Sequence, residues 1–128
     1  MHDFIENRRY FMYPFTVDIR KAFDGLCGLI RNDLGQNPRN GDVYIFFNKT
    51  KTHMKMLFFD GDGYAMYYKR IDIGRFQVPE GRVDDLGFYI TKLQLLQLIK
   101  GVRMDRIIYC KRGKNRVINP SKNDVLMN

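Results

Sequence analysis

Asp60-Gly61-Asp62-Gly63 separates two strand-like runs, residues 54–59 and 64–71, and constrains the fold more than any other stretch. Glycine and aspartate tolerate the positive φ that tight hairpin turns require, so the two runs are expected to pair antiparallel. With Phe59 facing Tyr64, the register sets Lys55 opposite Tyr68 and Met54 opposite Lys69. Upstream, Asn37-Pro38-Arg39-Asn40-Gly41 reads as a turn. Residues 42–48 then hold Val43, Tyr44, Ile45, Phe46 and Phe47 in succession, the pattern of a buried strand. Residues 75–79 read as a further edge strand, ended by Pro79, which cannot donate to a ladder.

Two helices are expected around these strands. Ile19, Phe23, Leu26, Ile30 and Leu34 recur at steps of four, three, four and four, one face of a 3.6-residue period over residues 17–34. Thr16 suits its N-cap, Asp18 the positive end of its dipole, and Gly35 its C-terminal cap. Arg20 and Asp24 are spaced to pair along it. Gly25 and Gly28 each cost about 1 kcal/mol there, and close approach to another backbone would explain them. Residues 91–100 form a second, shorter helix. Thr91 and Gln94 have capping-box spacing, and Leu93, Leu96 and Ile99 supply its apolar face. The fold class is α+β: an antiparallel β-meander of four to five strands packed with two main helices. Residues 1–15 are an N-terminal segment, 16–110 the globular domain, and 111–128 a basic C-terminal tail carrying Lys111, Arg112, Lys114 and Arg116.

The 128-residue chain carries a net charge of +8 with a pI near 9.6, which meets the compositional test for a nucleic-acid-binding domain. The same charge attracts acidic membranes or acidic proteins. No segment approaches the roughly 20 apolar residues that span a bilayer, and the start, with Asp3 and Glu6, is unlike a signal peptide. Cys27 and Cys110 form neither a disulfide framework nor a metal-ligand spacing, so reduced thiols in a cytoplasmic protein are expected.

Catalytic constellations are not legible. Asp60-Gly61-Asp62-Gly63 starts like a calcium loop, but the twelfth position would be Ile71 where a bidentate glutamate belongs. Asp18 and Asp24 are explained by helix electrostatics, and Asp60 and Asp62 by the turn, which leaves no carboxylate pair for two-metal chemistry. His53 has no acid or cysteine at ligand spacing, neither cysteine has a histidine to activate it, and there is no phosphate-binding glycine loop. Neither an enzyme nor a cofactor is expected.

What stands out instead is the stretch 49–76, where cations and aromatics interleave. Lys49, Lys51, Lys55, Lys69, Arg70 and Arg75 alternate with Phe58, Phe59, Tyr64, Tyr67, Tyr68 and Phe76. Lysine and arginine neutralise phosphates and release their counterions, and aromatic rings on a sheet stack on bases. For any single ring, burial in the core is the commoner fate.

The run Asp18-Ile19-Arg20-Lys21-Ala22-Phe23-Asp24-Gly25-Leu26 resembles the opening motif of a known family. This is the small accessory protein, TnpB type, encoded by the second open reading frame of IS66-type bacterial insertion sequences. The similarity continues through Gly41, Phe46, Asn48-Lys49, Lys55, Leu57, Asp60, Gly63, Tyr68-Lys69-Arg70, Gly74-Arg75-Phe76 and Pro79, and closes at Leu93, Leu96 and Gly101-Val102. It spans roughly residues 8–105. The chain departs from the family by lacking tryptophan, and the tail beyond about Asp105 is not covered. The resemblance implies a role in transposition beside a separate catalytic transposase, and no catalytic mechanism. The leading expectation is therefore a non-catalytic DNA-binding accessory factor. In it Lys49, Lys55, Lys69, Arg70 and Arg75 meet phosphates, and Arg20 and Lys21 extend the surface. The alternative is a module that docks on the transposase without touching DNA. Because neighbouring strand residues point to opposite faces, Lys69 and Arg70 share a surface only if the strand ends or bulges near Ile71.

Overall fold

The computed structural model describes residues 7–79 and 86–100. In chain order the elements are β1 (Tyr10–Met12), α1 (Phe23–Leu34), β2 (Val43–Phe47), β3 (His53–Phe59), β4 (Tyr64–Arg70), β5 (Phe88–Ile90) and α2 (Lys92–Lys100). The five strands form one sheet in the order β4-β3-β2-β1-β5. The fold is α+β with two helices, as expected, but the sheet is mixed. Strands β2, β3 and β4 make the antiparallel meander, and β1 runs parallel to β2. A parallel neighbour needs a long crossover, and residues 13–42 with α1 supply it. The 54–71 hairpin has the expected register: Phe59 pairs with Tyr64, Lys55 with Tyr68 and Met54 with Lys69.

Strands β1 and β5 were not legible. Tyr10–Met12, placed by sequence in a segment before the domain, is an inner strand between β2 and β5. All three of its residues are buried, so it lacks the polar–apolar alternation that marks a half-exposed strand. Residues 75–79, expected as an edge strand, are not one. Phe76 instead plugs the core beside Phe47, ring centroids 5.5 Å apart.

The sheet is covered on both faces, because alternate residues of each strand point opposite ways. One face sets Phe11, Tyr13, Tyr44, Phe46 and Leu57 against Leu26, Cys27 and Ile30 of α1. The other sets Met12, Ile45, Phe47, Met54 and Met56 against Leu95 and Leu98 of α2. This is why every residue of β2 is buried.

Both helices differ in detail from expectation. α1 starts at Phe23 and not near residue 17. Asp18 accepts the Arg20 N–H through its side chain (2.9 Å) and the Lys21 N–H through its carbonyl (3.0 Å), forming a tight turn. Ala22 is extended and caps α1 without a side-chain bond. Ile19 therefore lies outside the helix and is half-buried, while Phe23, expected in the core, is 41% exposed at the first turn. Arg20 pairs with Asp18, not with Asp24. Neither Gly25 nor Gly28 meets another backbone: a Cβ at Gly25 would press on the Lys21 side chain at 3.3 Å, and at Gly28 it would reach only the Asn32 side chain, at 4.0 Å. Gly35 does end α1, at φ 64°, its N–H bonding Arg31 O and that of Gln36 bonding Ile30 O. In α2 the capping box is present: Gln94 Oε1 accepts the Thr91 N–H (2.9 Å) and Thr91 Oγ1 the Gln94 N–H (3.1 Å). The buried stripe is Leu95 and Leu98, with Leu96 and Ile99 at its margin and Leu93 65% exposed.

Two tests follow from this packing. Gly87 enters β5 at φ +83°, and a Cβ there would lie 2.5 Å from Met12 O and from the Phe11 ring. Gly87→Ala combines left-handed strain with that collision, so it should cost at least about 1–3 kcal/mol, read as a lowered urea midpoint. Tyr44 is fully buried, its hydroxyl donating to Gln36 Oε1 and accepting from Asn40 Nδ2, both at 2.8 Å. Burial pushes its pKa up to about 12, and Tyr13, Tyr67 and Tyr89 are raised as well. The unfolded chain ionises its tyrosines near pH 10 while the fold keeps them protonated. Stability present below pH 10 should thus fall as pH rises from 10 towards 12, and Tyr44→Phe should flatten the fall in alkaline urea titrations.

Candidate nucleic-acid interface

Three segments meet at one end of the sheet: the β2–β3 turn, the chain leaving β4, and the loop before α1. Backbone bonds hold them together. Ile71 N–H donates to Thr52 O (3.0 Å), Phe76 N–H to Lys51 O (2.8 Å) and Val17 N–H to Phe47 O (2.9 Å). The β2–β3 turn is ordered by Asn48, whose Oδ1 accepts the N–H groups of Thr52 and His53, both at 3.0 Å, and by Lys51 at φ 62°. Strand β4 ends at Arg70, but Lys69 still points to the opposite face of the sheet, so the two do not share a surface. Arg70 then lies across from His53, and Arg75 beside Lys51.

This end gathers five of the seven cations proposed from sequence. Lys49 and Arg75 are exposed and carry no ion pair among the described residues. Lys21 is exposed too. Arg20 is paired with Asp18 at 2.7 Å and Arg70 with Asp72 at 3.1 Å, both on the surface. Such pairs are worth about 0–1 kcal/mol, so they yield readily to a phosphate. Hydrogen bonds from Arg20 hold the Asp18 carboxyl well below the usual carboxylate range. Lys51 belongs to the same cluster although the sequence-derived set omits it; its glycine-like φ has no signal in the sequence.

The other two lysines are occupied elsewhere. Lys55 is only 7% exposed, and its ammonium donates to the carbonyls of Ile19 (2.6 Å) and Lys21 (2.7 Å). Burial lowers its pKa, and nearby Asp18 partly restores it. Lys69 points to the other face, where Nζ caps α2 by donating to Ile99 O at 2.5 Å, and burial lowers its pKa as well. Lysine favours a helix C-terminus because free carbonyls and the negative dipole end lie there. A strand lysine that binds carbonyls looks the same in sequence as one that binds phosphate.

The opposite end of the sheet also carries arginines, each with a partner in the protein although Arg9 and Arg39 are themselves exposed. Arg8 donates to Gly41 O and Phe59 O, Arg9 forms a two-pronged pair with Asp42, and Arg39 lies 5.0 Å over the Phe59 ring. Among the described residues no three His, Cys, Asp or Glu side chains gather as a metal site, and no helix is long and apolar enough to cross a membrane. The tail cations Lys111, Arg112, Lys114 and Arg116 lie outside the described residues.

The fold and this surface define a small basic α+β protein. The chain belongs to the IS66 Orf2-like family, whose model, described as "IS66 Orf2 like protein", matches residues 8–108. It is a family of insertion-sequence accessory proteins and not a known catalytic one. Among curated proteins the chain is similar to two from Sinorhizobium fredii (strain NBRC 101917 / NGR234). The uncharacterized protein y4hO is 28% identical over 97 residues, 76% of this chain and 83% of that protein. The uncharacterized protein y4jC is 26% identical over 91 residues, 71% of this chain and 76% of that protein. No solved structure matches the chain.

The two classes of lysine are separable by mutation. Lys55→Met leaves two loop carbonyls without their donor and should destabilise the protein by about 1–3 kcal/mol. Lys49→Ala, at an exposed site, should stay within about 0.5 kcal/mol of the parent. Paired urea titrations measure both, and equal effects would contradict the structural role assigned to Lys55.

Proposed function

We propose that the protein is a non-catalytic DNA-binding accessory factor of insertion-sequence transposition, acting beside a separate transposase. The observation that carries this reading is the gathering of Arg20, Lys21, Lys49, Lys51, Arg70 and Arg75 at one end of the sheet, where the same segments carry the acids Asp18, Asp24 and Asp72. A surface of that sign concentrates a polyanion, and each phosphate it neutralises releases counterions. Lys55 and Lys69 are left out of the phosphate-binding set because their ammonium groups are bound to carbonyls. Their contribution is to hold the loop before α1 and the end of α2 in place.

Ile73, 92% exposed on the loop between Arg70 and Arg75, favours a second reading, in which this end docks on the transposase as a protein-interaction module. The two differ in salt dependence. On the DNA reading, Arg70→Ala/Arg75→Ala weakens binding to all sequences alike. The slope of log K against log salt then falls by about 0.9 for each phosphate that is no longer neutralised. Anisotropy titrations over a salt series measure this. Unchanged affinity and slope in a folded double variant would favour transposase docking.

A further inference from the structure

Six aromatics are threaded between the cations of residues 49–76, and the structure disposes of five. Phe58 and Phe76 are buried, Tyr67 packs against the α2-side core, and Phe59 and Tyr64 meet edge to face at 5.2 Å. Tyr68 is left, 52% exposed on the edge strand β4. It shares a sheet face with Arg70, two residues on, and belongs to the end where the cations gather.

Two side chains of β3 hold the ring. His53 stacks near-parallel to it, centroids 6.0 Å apart at 29°, and the Lys55 ammonium lies 4.9 Å from its centroid. Both neighbours come from β3, while β4 pairs with no other described strand, and the side chain keeps half of its surface in solvent. The supports are themselves pinned. Lys55 is fixed by two carbonyls. Asn48 Oδ1 is taken by two backbone N–H groups, so Asn48 Nδ2 donates to His53 Nδ1 (3.0 Å). That assignment makes Nδ1 an acceptor and places the ring proton on Nε2. The result is a preorganised aromatic surface beside phosphate-binding charge, the combination by which proteins hold single strands.

We infer that Tyr68, backed by His53, is a stacking platform for an unpaired nucleobase, so that this end of the protein binds single-stranded DNA as well as duplex backbone. The inference rests on the DNA-binding reading and specifies its ligand. A base inside a duplex offers no free face to a ring on a sheet edge, whereas every unpaired base does. The arginines and lysines around the ring serve either form of DNA, which makes the ring the discriminating element.

The test uses the full chain, a 20-nucleotide oligodeoxythymidylate and a 20-base-pair duplex at one ionic strength. Tyr68→Ala should weaken binding to the single strand at least about fivefold and leave duplex binding within about twofold, whereas Tyr68→Phe should keep the parent affinity for both. The chain contains no tryptophan, so Tyr68→Trp introduces a single reporter whose emission the oligodeoxythymidylate should quench and the duplex should not. Single-strand affinity unmoved by Tyr68→Ala, equal weakening on both DNAs, or equal quenching by both would overturn the platform. In each case duplex binding that responds to Arg70→Ala/Arg75→Ala would leave the DNA reading standing. Binding to neither DNA would instead remove the DNA reading itself.

Discussion

The basic end of this protein hangs on one buried charge. Lys55 rises from a central strand, loses most of its water, and recovers hydrogen bonding by donating to two carbonyls of the loop before α1. Burying an ammonium is costly unless it is well partnered, and bonds to a charged donor are among the stronger ones a protein makes. Those two bonds set where Arg20 and Lys21 stand. The same ammonium lies against Tyr68, so one side chain couples the pre-helical loop, the central strand and the edge strand.

Around that point the sheet behaves as a wall with both sides papered. Because α1 and α2 cover opposite faces, the middle strands have no solvent side, and function is displaced to the strand ends and the edge. At one end the arginines are spent on internal carbonyls, an aspartate and aromatic rings. At the other end their partners are surface aspartates or none, and there the charge is available. The asymmetry comes from partners and not from composition, since both ends are rich in cations.

That difference limited what the candidate site revealed in advance. The end of β4 sets Arg70 across from His53, and the backbone beside Arg75 bonds Lys51 O. Lys55 and Lys69 look equivalent to them in sequence because all are cations in the same hairpin. Their separation depends on which backbone carbonyls happen to lie within reach, on residues 30 to 36 positions away in the chain. The same holds for the aromatics: six rings look alike in sequence, and only packing decides that Tyr68 is the exposed one.

What the sequence determined by itself was local. The aspartate–glycine turn set the hairpin register pair by pair, Thr91 and Gln94 capped α2, and Gly35 closed α1. Each depends on residues within a few positions of one another, where backbone preference and side-chain reach are decided by short-range geometry. The tertiary structure decided the rest. It drew Tyr10–Met12 into the sheet as a parallel strand, and bound two lysines to distant carbonyls while leaving Tyr68 in solvent. These outcomes follow from desolvation and pairing between distant segments, and the energy of a side chain in such a setting is set by neighbours that its own stretch of sequence does not contain.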